Sequence, residues 1–99
     1  MFVIVWEFRV RTGCEAEFEL HYRHDGTWAQ LFRLDPAYQG TTLLRDPVVP
    51  GRYLTLDHWE NSQSYDSFRQ SFAQAYAEID ASMEHMTESE TKLGVFEPA

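Results

Sequence analysis

The sequence predicts an α+β protein with the ferredoxin-like order βαββαβ, a four-stranded antiparallel sheet with helices on one face. Three observations lead there. Residues 2–11 alternate with a period of two, Phe2, Ile4, Trp6, Phe8 and Val10 against Val3, Val5, Glu7, Arg9 and Arg11, as a half-buried strand does. From Tyr65 the apolar residues instead recur at helical spacing, as Phe68, Phe72, Tyr76, Ile79, Met83 and Met86,. Between and after these blocks lie a hairpin pattern over 38–59 and a second β pattern over 88–97. The 99 residues fit one domain, spanning 1–99.

Each element has a local cause. After the first strand, Thr12-Gly13-Cys14-Glu15 has the form of a capping box, in which a threonine oxygen and a glutamate carboxylate serve the free N–H groups of a first turn. A helix is expected from there. Its apolar residues fall on two adjacent lines, Phe18, Tyr22, Ala29 and Phe32 beside Leu20, His24, Trp28 and Leu31. Asp25-Gly26-Thr27 interrupts it, since glycine costs about 1 kcal/mol in a helix interior and Thr27 is a good cap for a second segment. Asp35-Pro36 ends the run, because a residue before proline is pushed out of the α region. Tyr38 to Asp46 is the second strand, and Pro47-Val48-Val49-Pro50-Gly51 returns the chain antiparallel into Arg52 to Trp59. Asn61 and Ser62 are the caps for the next helix, with a break near Ser71, and Glu88 to Glu97 closes the sheet with Thr91, Leu93 and Val95 alternating against Lys92, Gly94 and Phe96.

Composition excludes several functions. A formal charge of −8 is unsuited to phosphate backbones and to anionic membrane surfaces, which call for a Lys/Arg face. A neutral or cationic small molecule meets no such barrier. The lone Cys14 has no partner for an intramolecular disulfide or a CxxC zinc site and suits a reducing cytoplasm. FVIVW is too short for a signal core, and no apolar run approaches a spanning helix. Gly-rich phosphate loops, G-x-S-x-G and HExxH are all missing, so phosphoryl transfer, nicotinamide chemistry on a Rossmann site and zinc hydrolysis have no support. His21 and His24 sit at i, i+3, a spacing compatible with joint metal ligation, but no further ligand accompanies them, and no metal site is expected.

What remains is an interior rich in aromatics. Phe2, Trp6, Phe8, Trp28, Phe68, Phe72 and Tyr76 can line a cavity for a flat apolar ligand, with His24, His58 and Tyr65 supplying orientation or protons; the same residues also suffice as plain core. Regular alternation puts Leu54, Leu56 and His58 against the helices and Tyr53, Thr55, Asp57 and Trp59 on the other sheet face. A bulge, or a pocket reaching across a subunit boundary, would instead bring Trp59 to a site. With Val3, Val5, Tyr53 and Thr55 the outer face is too apolar to stay wet, and a second copy packed sheet to sheet is the economical cover.

A strand ending in Trp59, a short polar turn, then Tyr65 and Phe68 on the following helix resemble the antibiotic biosynthesis monooxygenase (ABM) family, as do GTTLLRD at 40–46 and the strand and turn over 2–13. The resemblance covers nearly the whole chain. It implies a dimeric α+β barrel and a monooxygenase without cofactor that oxidises a small aromatic substrate, a quinol, phenol or polyketide, with O2. It also implies catalytic roles for Trp59 and Tyr65, which match the polyketide-oxidising members, while Thr55 stands where those carry Asn and their later-helix Arg finds no counterpart. The haem-degrading branch uses an Asn, a Trp and a His where this chain has Trp6, Phe68 and about Tyr76, and none matches. His58 and Tyr65 are then the candidates for proton handling, with Trp6, His24, Trp28, Phe68, Phe72 and Tyr76 around the substrate. The alternative from another class is a non-catalytic dimer, a stress-response or ligand-binding protein that holds a small hydrophobic molecule in the same cavity.

Overall fold

A computed structural model describes residues 1–99. Strand β1 (Phe2–Val10) leads into helices α1 (Glu15–Tyr22) and α2 (Thr27–Phe32), then β2 (Tyr38–Arg45), β3 (Arg52–Trp59), α3 (Ser62–Ser71), α4 (Ala73–Met83), a 3-10 turn at Glu84–Met86, and β4 (Thr87–Phe96). The strands form one antiparallel sheet of order β2-β3-β1-β4, the ferredoxin-like arrangement expected, with the helices on one face.

The helix interruptions fall where glycine and the break signal put them, but the caps differ. Cys14 occupies the cap position of α1 without a side-chain bond. The Glu15 carboxylate reaches back to the N–H of Gly13 at 2.7 Å, one residue beyond Thr12, so only the glutamate half of the capping box forms. Gly26, not Thr27, precedes α2. A Cβ there would meet the Leu20 and His21 carbonyl oxygens at 2.6 Å, and that close approach is what glycine permits. The Thr27 hydroxyl instead bonds His21 Nδ1 at 2.7 Å, and His24 is exposed. Asn61 caps α3 as expected, accepting the Ser64 N–H at 2.8 Å.

The facing of β3 is the reverse of the sequence expectation. Residues opposite one another in an antiparallel pair share a face. β1 pairs with β3 as Phe2/Trp59, Ile4/Asp57, Trp6/Thr55 and Phe8/Tyr53, so Tyr53, Thr55, Asp57 and Trp59 lie under the helices with the apolar set of β1. Tyr53, Thr55 and Trp59 are accordingly buried. Leu54, Leu56 and His58 join Val3 and Val5 on the outer face, with Leu44 and Phe96 at its two edges. The outer patch is therefore built from leucines, not from Tyr53 and Thr55. Leu44 and Phe96 stand 45% and 54% exposed, and the apolar character that called for a cover remains.

The core is mostly aromatic. Phe18 stacks on Tyr22 at 4.1 Å between centroids and packs against Phe8 and Tyr53. At the other end, Trp59 is fully buried among Phe32, Tyr38, Tyr65 and Phe68, all at 5.1 to 5.6 Å. In β4 the regular alternation is interrupted, because Val5 pairs with Gly94 and Trp6 with Lys92, leaving Leu93 as the extra residue of a bulge,. The pairing beyond it sets Glu90 opposite Phe8, on the helix side.

Candidate functional site

Between the two aromatic clusters the helix layer does not close fully on the sheet. A cavity of about 200 Å³ remains, walled by Trp6, Phe8, Tyr22, Trp28, Phe32 and Tyr76 and bearing the polar groups Thr41, Thr55, Asp57, Arg69, Asp80 and Glu90. Its floor is the sheet, Trp6 and Phe8 from β1, Thr55 and Asp57 from β3, Thr41 from β2 and Glu90 from β4. Its roof is helical, Tyr22 from α1, Trp28 and Phe32 from α2, Arg69 from α3, and Tyr76 and Asp80 from α4.

Of the residues singled out in the sequence, Trp6, Phe8, Trp28 and Tyr76 line this space. Trp59, Phe68 and Phe72 stand behind it as packed wall, with Phe68 stacked on Phe72 at 5.0 Å. Tyr65 packs edge-on to Trp59 at 5.3 Å, and its hydroxyl accepts from Arg69 Nη1 at 3.2 Å. His24 is exposed in the turn after α1. His58 lies on the outer sheet face, 3.4 Å from the Thr42 hydroxyl. Neither histidine borders the cavity. Helical and strand spacing alone would bring both to it, but the break after Tyr22 and the β1/β3 register turn them elsewhere.

Four charged groups of the site escape the sequence reading, Arg69, Asp57, Asp80 and Glu90, and the first two make defined contacts. Arg69 occupies the later helix where no arginine counterpart is recognised; its guanidinium carbon lies 3.8 Å from the Tyr76 ring centroid, a cation–π stack that also holds it beside Tyr65,. The signal is present, since Tyr65, Arg69, Tyr76 and Asp80 are spaced by four, seven and four residues and so run down one helical line beside the apolar stripe. Asp57 escapes because regular alternation assigns it to the other face. Its Oδ1 accepts from the Thr41 hydroxyl at 2.8 Å, and the Tyr38 hydroxyl sits 2.6 Å from Thr41 Oγ1.

The electrostatics of the site follow from burial. Removal from water pushes the Asp57 carboxyl up to about 6, with the Thr41 hydrogen bond opposing the rise,. Burial likewise raises Tyr22 and Tyr76, so both phenols stay protonated at neutral pH and act as donors, not bases. Glu90 is raised by burial and then by the negative charges of Asp80 and Glu84. The buried indole N–H of Trp28 faces the Tyr22 hydroxyl and partly offsets the rise of that phenol,. The site can therefore hold a flat apolar molecule, accept a proton at a carboxylate poised near neutrality and present a guanidinium to developing negative charge.

Comparison with known proteins agrees with this architecture. The sequence profile described as antibiotic biosynthesis monooxygenase matches residues 1–88. No functionally curated protein matches the sequence. Among solved structures, SnoaB from Streptomyces nogalater, a cofactor-independent oxygenase, is 23% identical with a TM-score of 0.77, covering 99% of this chain and 92% of its own. PA3566 from Pseudomonas aeruginosa is 8% identical with a TM-score of 0.74, over 99% and 93% of the two chains. A point mutant of MhuD, with two manganese protoporphyrin IX molecules bound per active site, is 23% identical with a TM-score of 0.71, over 100% and 95%. At these identities the likeness is one of fold. The profile match, which runs from the first strand through the 3-10 turn into the last strand, carries the family assignment: the chain belongs to the antibiotic biosynthesis monooxygenase family.

Proposed function

We propose that this protein is a cofactor-independent monooxygenase that oxidises a small quinol, phenol or polyketide-like aromatic with O2. The observation that carries this reading is the 200 Å³ cavity, aromatic on its walls and bearing a titratable carboxyl, in a chain of this family. In a cofactor-independent reaction the substrate itself must supply electrons, and an aromatic becomes electron-rich enough for O2 when it loses a proton in a site shielded from water. For an anthrone-type substrate the balance closes without a further reductant: a ring CH2 and O2 give a ring C=O and H2O, a four-electron oxidation of carbon matched by four-electron reduction of oxygen. Trp6, Trp28 and Tyr76 stack against the ring and exclude water, while Trp59 and Tyr65 form the wall that fixes Arg69.

The working unit in this reading is a cytoplasmic homodimer closed through the outer sheet face. Val3, Val5, Leu54 and Leu56 form a continuous apolar patch there, of the kind that marks an interaction surface. No helix is long and apolar enough to cross a membrane.

Oxygen-electrode measurements with a panel of dihydroquinones and anthrones test the enzyme. Uptake that is stoichiometric with product and lost in a Trp59→Phe, Tyr65→Phe double variant supports it. Tight binding of the same compounds without uptake supports the second reading, a binding protein of the same fold. That reading is favoured by Thr55 standing where the polyketide-oxidising members have Asn.

A further inference from the structure

We propose that Asp57 is the proton acceptor of this cavity, taking the proton of a hydroxyl group on an uncharged aromatic ligand while Thr41 and Tyr38 hold the carboxylate in place. The inference rests on the cavity being the ligand site, as in the function proposed above, and adds the acceptor and the charge class of the substrate. Asp57 borders the cavity, and Thr41 donates to its Oδ1. A hydroxyl has one hydrogen, so Thr41, spending its own on Asp57, must receive the Tyr38 hydroxyl hydrogen at 2.6 Å,. The relay therefore has a fixed direction, from Tyr38 to Thr41 to Oδ1. Oδ2 receives no hydrogen bond from the protein, nor is it sealed among the buried atoms that lack a partner. It is the open acceptor.

Proton transfer then runs from the ligand hydroxyl to Oδ2. The O–H electron pair stays on the ligand oxygen as a phenolate, Asp57 becomes a neutral acid, and the Thr41 bond is undisturbed. The other charged and titratable groups bordering the cavity are Arg69 from α3, Tyr76 and Asp80 from α4, Tyr22 from α1 and Glu90 from β4. Arg69 is the one cation among them, available to a phenolate once it forms. Three carboxylates against one guanidinium repel a ligand that arrives as an anion, so a carboxylated aromatic is disfavoured and a neutral hydroxylated one admitted.

The test is calorimetric binding of 2-naphthol and of its methyl ether to the wild-type protein, Asp57→Asn and Thr41→Val, from about pH 5 to about pH 8, where 2-naphthol itself stays neutral. An ionised acceptor strengthens a hydrogen bond from the ligand, so naphthol affinity of the wild type is expected to rise about tenfold across this range. Asp57→Asn should bind with the weaker affinity at every pH, and the methyl ether should show no pH dependence. Thr41→Val removes a hydrogen bond that favours the carboxylate and should move the midpoint to higher pH. No naphthol binding, a pH-independent wild type, or the same pH dependence in a folded Asp57→Asn would overturn the proposal. Oxygen uptake is scored separately: pH-linked binding without uptake removes the oxygenase and keeps the acceptor, whereas full uptake in Asp57→Asn removes the acceptor and keeps the oxygenase.

Discussion

Replacing Asp57 with Asn changes the protein's stability by an amount that depends on pH, and both sign and size follow from its surroundings. Burial raises the carboxyl from 3.8 to about 6. The folded chain therefore holds this proton more tightly than the unfolded chain does. The contribution is fully present below about pH 4 and is lost as pH rises through about 6. A shift of roughly two pH units corresponds to about 3 kcal/mol at 1.36 kcal/mol per unit. Because Asp57 is half-buried and borders an open cavity, water softens the penalty, and between about 1 and 3 kcal/mol is the range to expect. Asn has nearly the same shape and can still accept from Thr41, but carries no charge. The stability of Asp57→Asn relative to wild type should thus increase by that amount between about pH 4 and pH 8. Urea titrations of both proteins at a series of pH values read it directly, and the comparison removes groups common to both. Among these is Asp46, which the N–H groups of Val49 and Val48 and then Arg52 hold down at about 2; it acts in the opposite sense, stabilising above its unfolded pKa. A difference that stays flat over this range, or falls as pH rises, would refute the burial argument for Asp57.

Four further outcomes are expected. Asn61→Ala should lower stability by about 1 kcal/mol in thermal or urea unfolding by removing the acceptor for the Ser64 N–H,, with Asn61→Asp near wild type. Gly51→Ala should cost at least about 2 kcal/mol, because φ is +78° and the new Cβ would sit 2.7 Å from the Val10 carbonyl oxygen, in a turn that also accepts the Val10 N–H,; an unchanged melting temperature would show that the turn relaxes. Val5→Lys puts a charge in the middle of the outer apolar face, and sedimentation should then report monomer or unfolded chain, whereas an equally stable dimer would mean that the sheet face is not the contact. Added haemin should give no stoichiometric Soret shift, since none of His21, His24, His58 and His85 borders the cavity and His85 is paired with Glu17 at 3.2 Å. A one-to-one shift abolished by His24→Ala or His58→Ala would reverse that assignment.

Local signals in the sequence carried the fold. The two-residue period of 2–11, the glycine break at Gly26, the Asn61 cap and the aromatic stripe from Tyr65 each act within one element, so each was legible without knowing what lay across from it. The element order then left the ferredoxin-like sheet as the economical arrangement. The facing of β3 was not determined in this way. A period of two divides Arg52–Trp59 into two sets, and both contain large apolar residues, Leu54 and Leu56 in one, Tyr53 and Trp59 in the other. Hydrophobicity cannot choose between them when both faces of a sheet are apolar. The choice came from the hydrogen-bonded register with β1, which sets Phe2 opposite Trp59 and Ile4 opposite Asp57. With that register, Asp57 moves to the cavity and His58 to the outer face, and the candidate for proton handling changes from an imidazole to a carboxylate. The bulge at Leu93 similarly governs which residues of β4 face the helices. The aromatic character of the site was thus written in the chain, while the facing of Asp57 and Glu90 depended on their pairings with Ile4 and Phe8, more than about fifty positions away, which only tertiary structure decides.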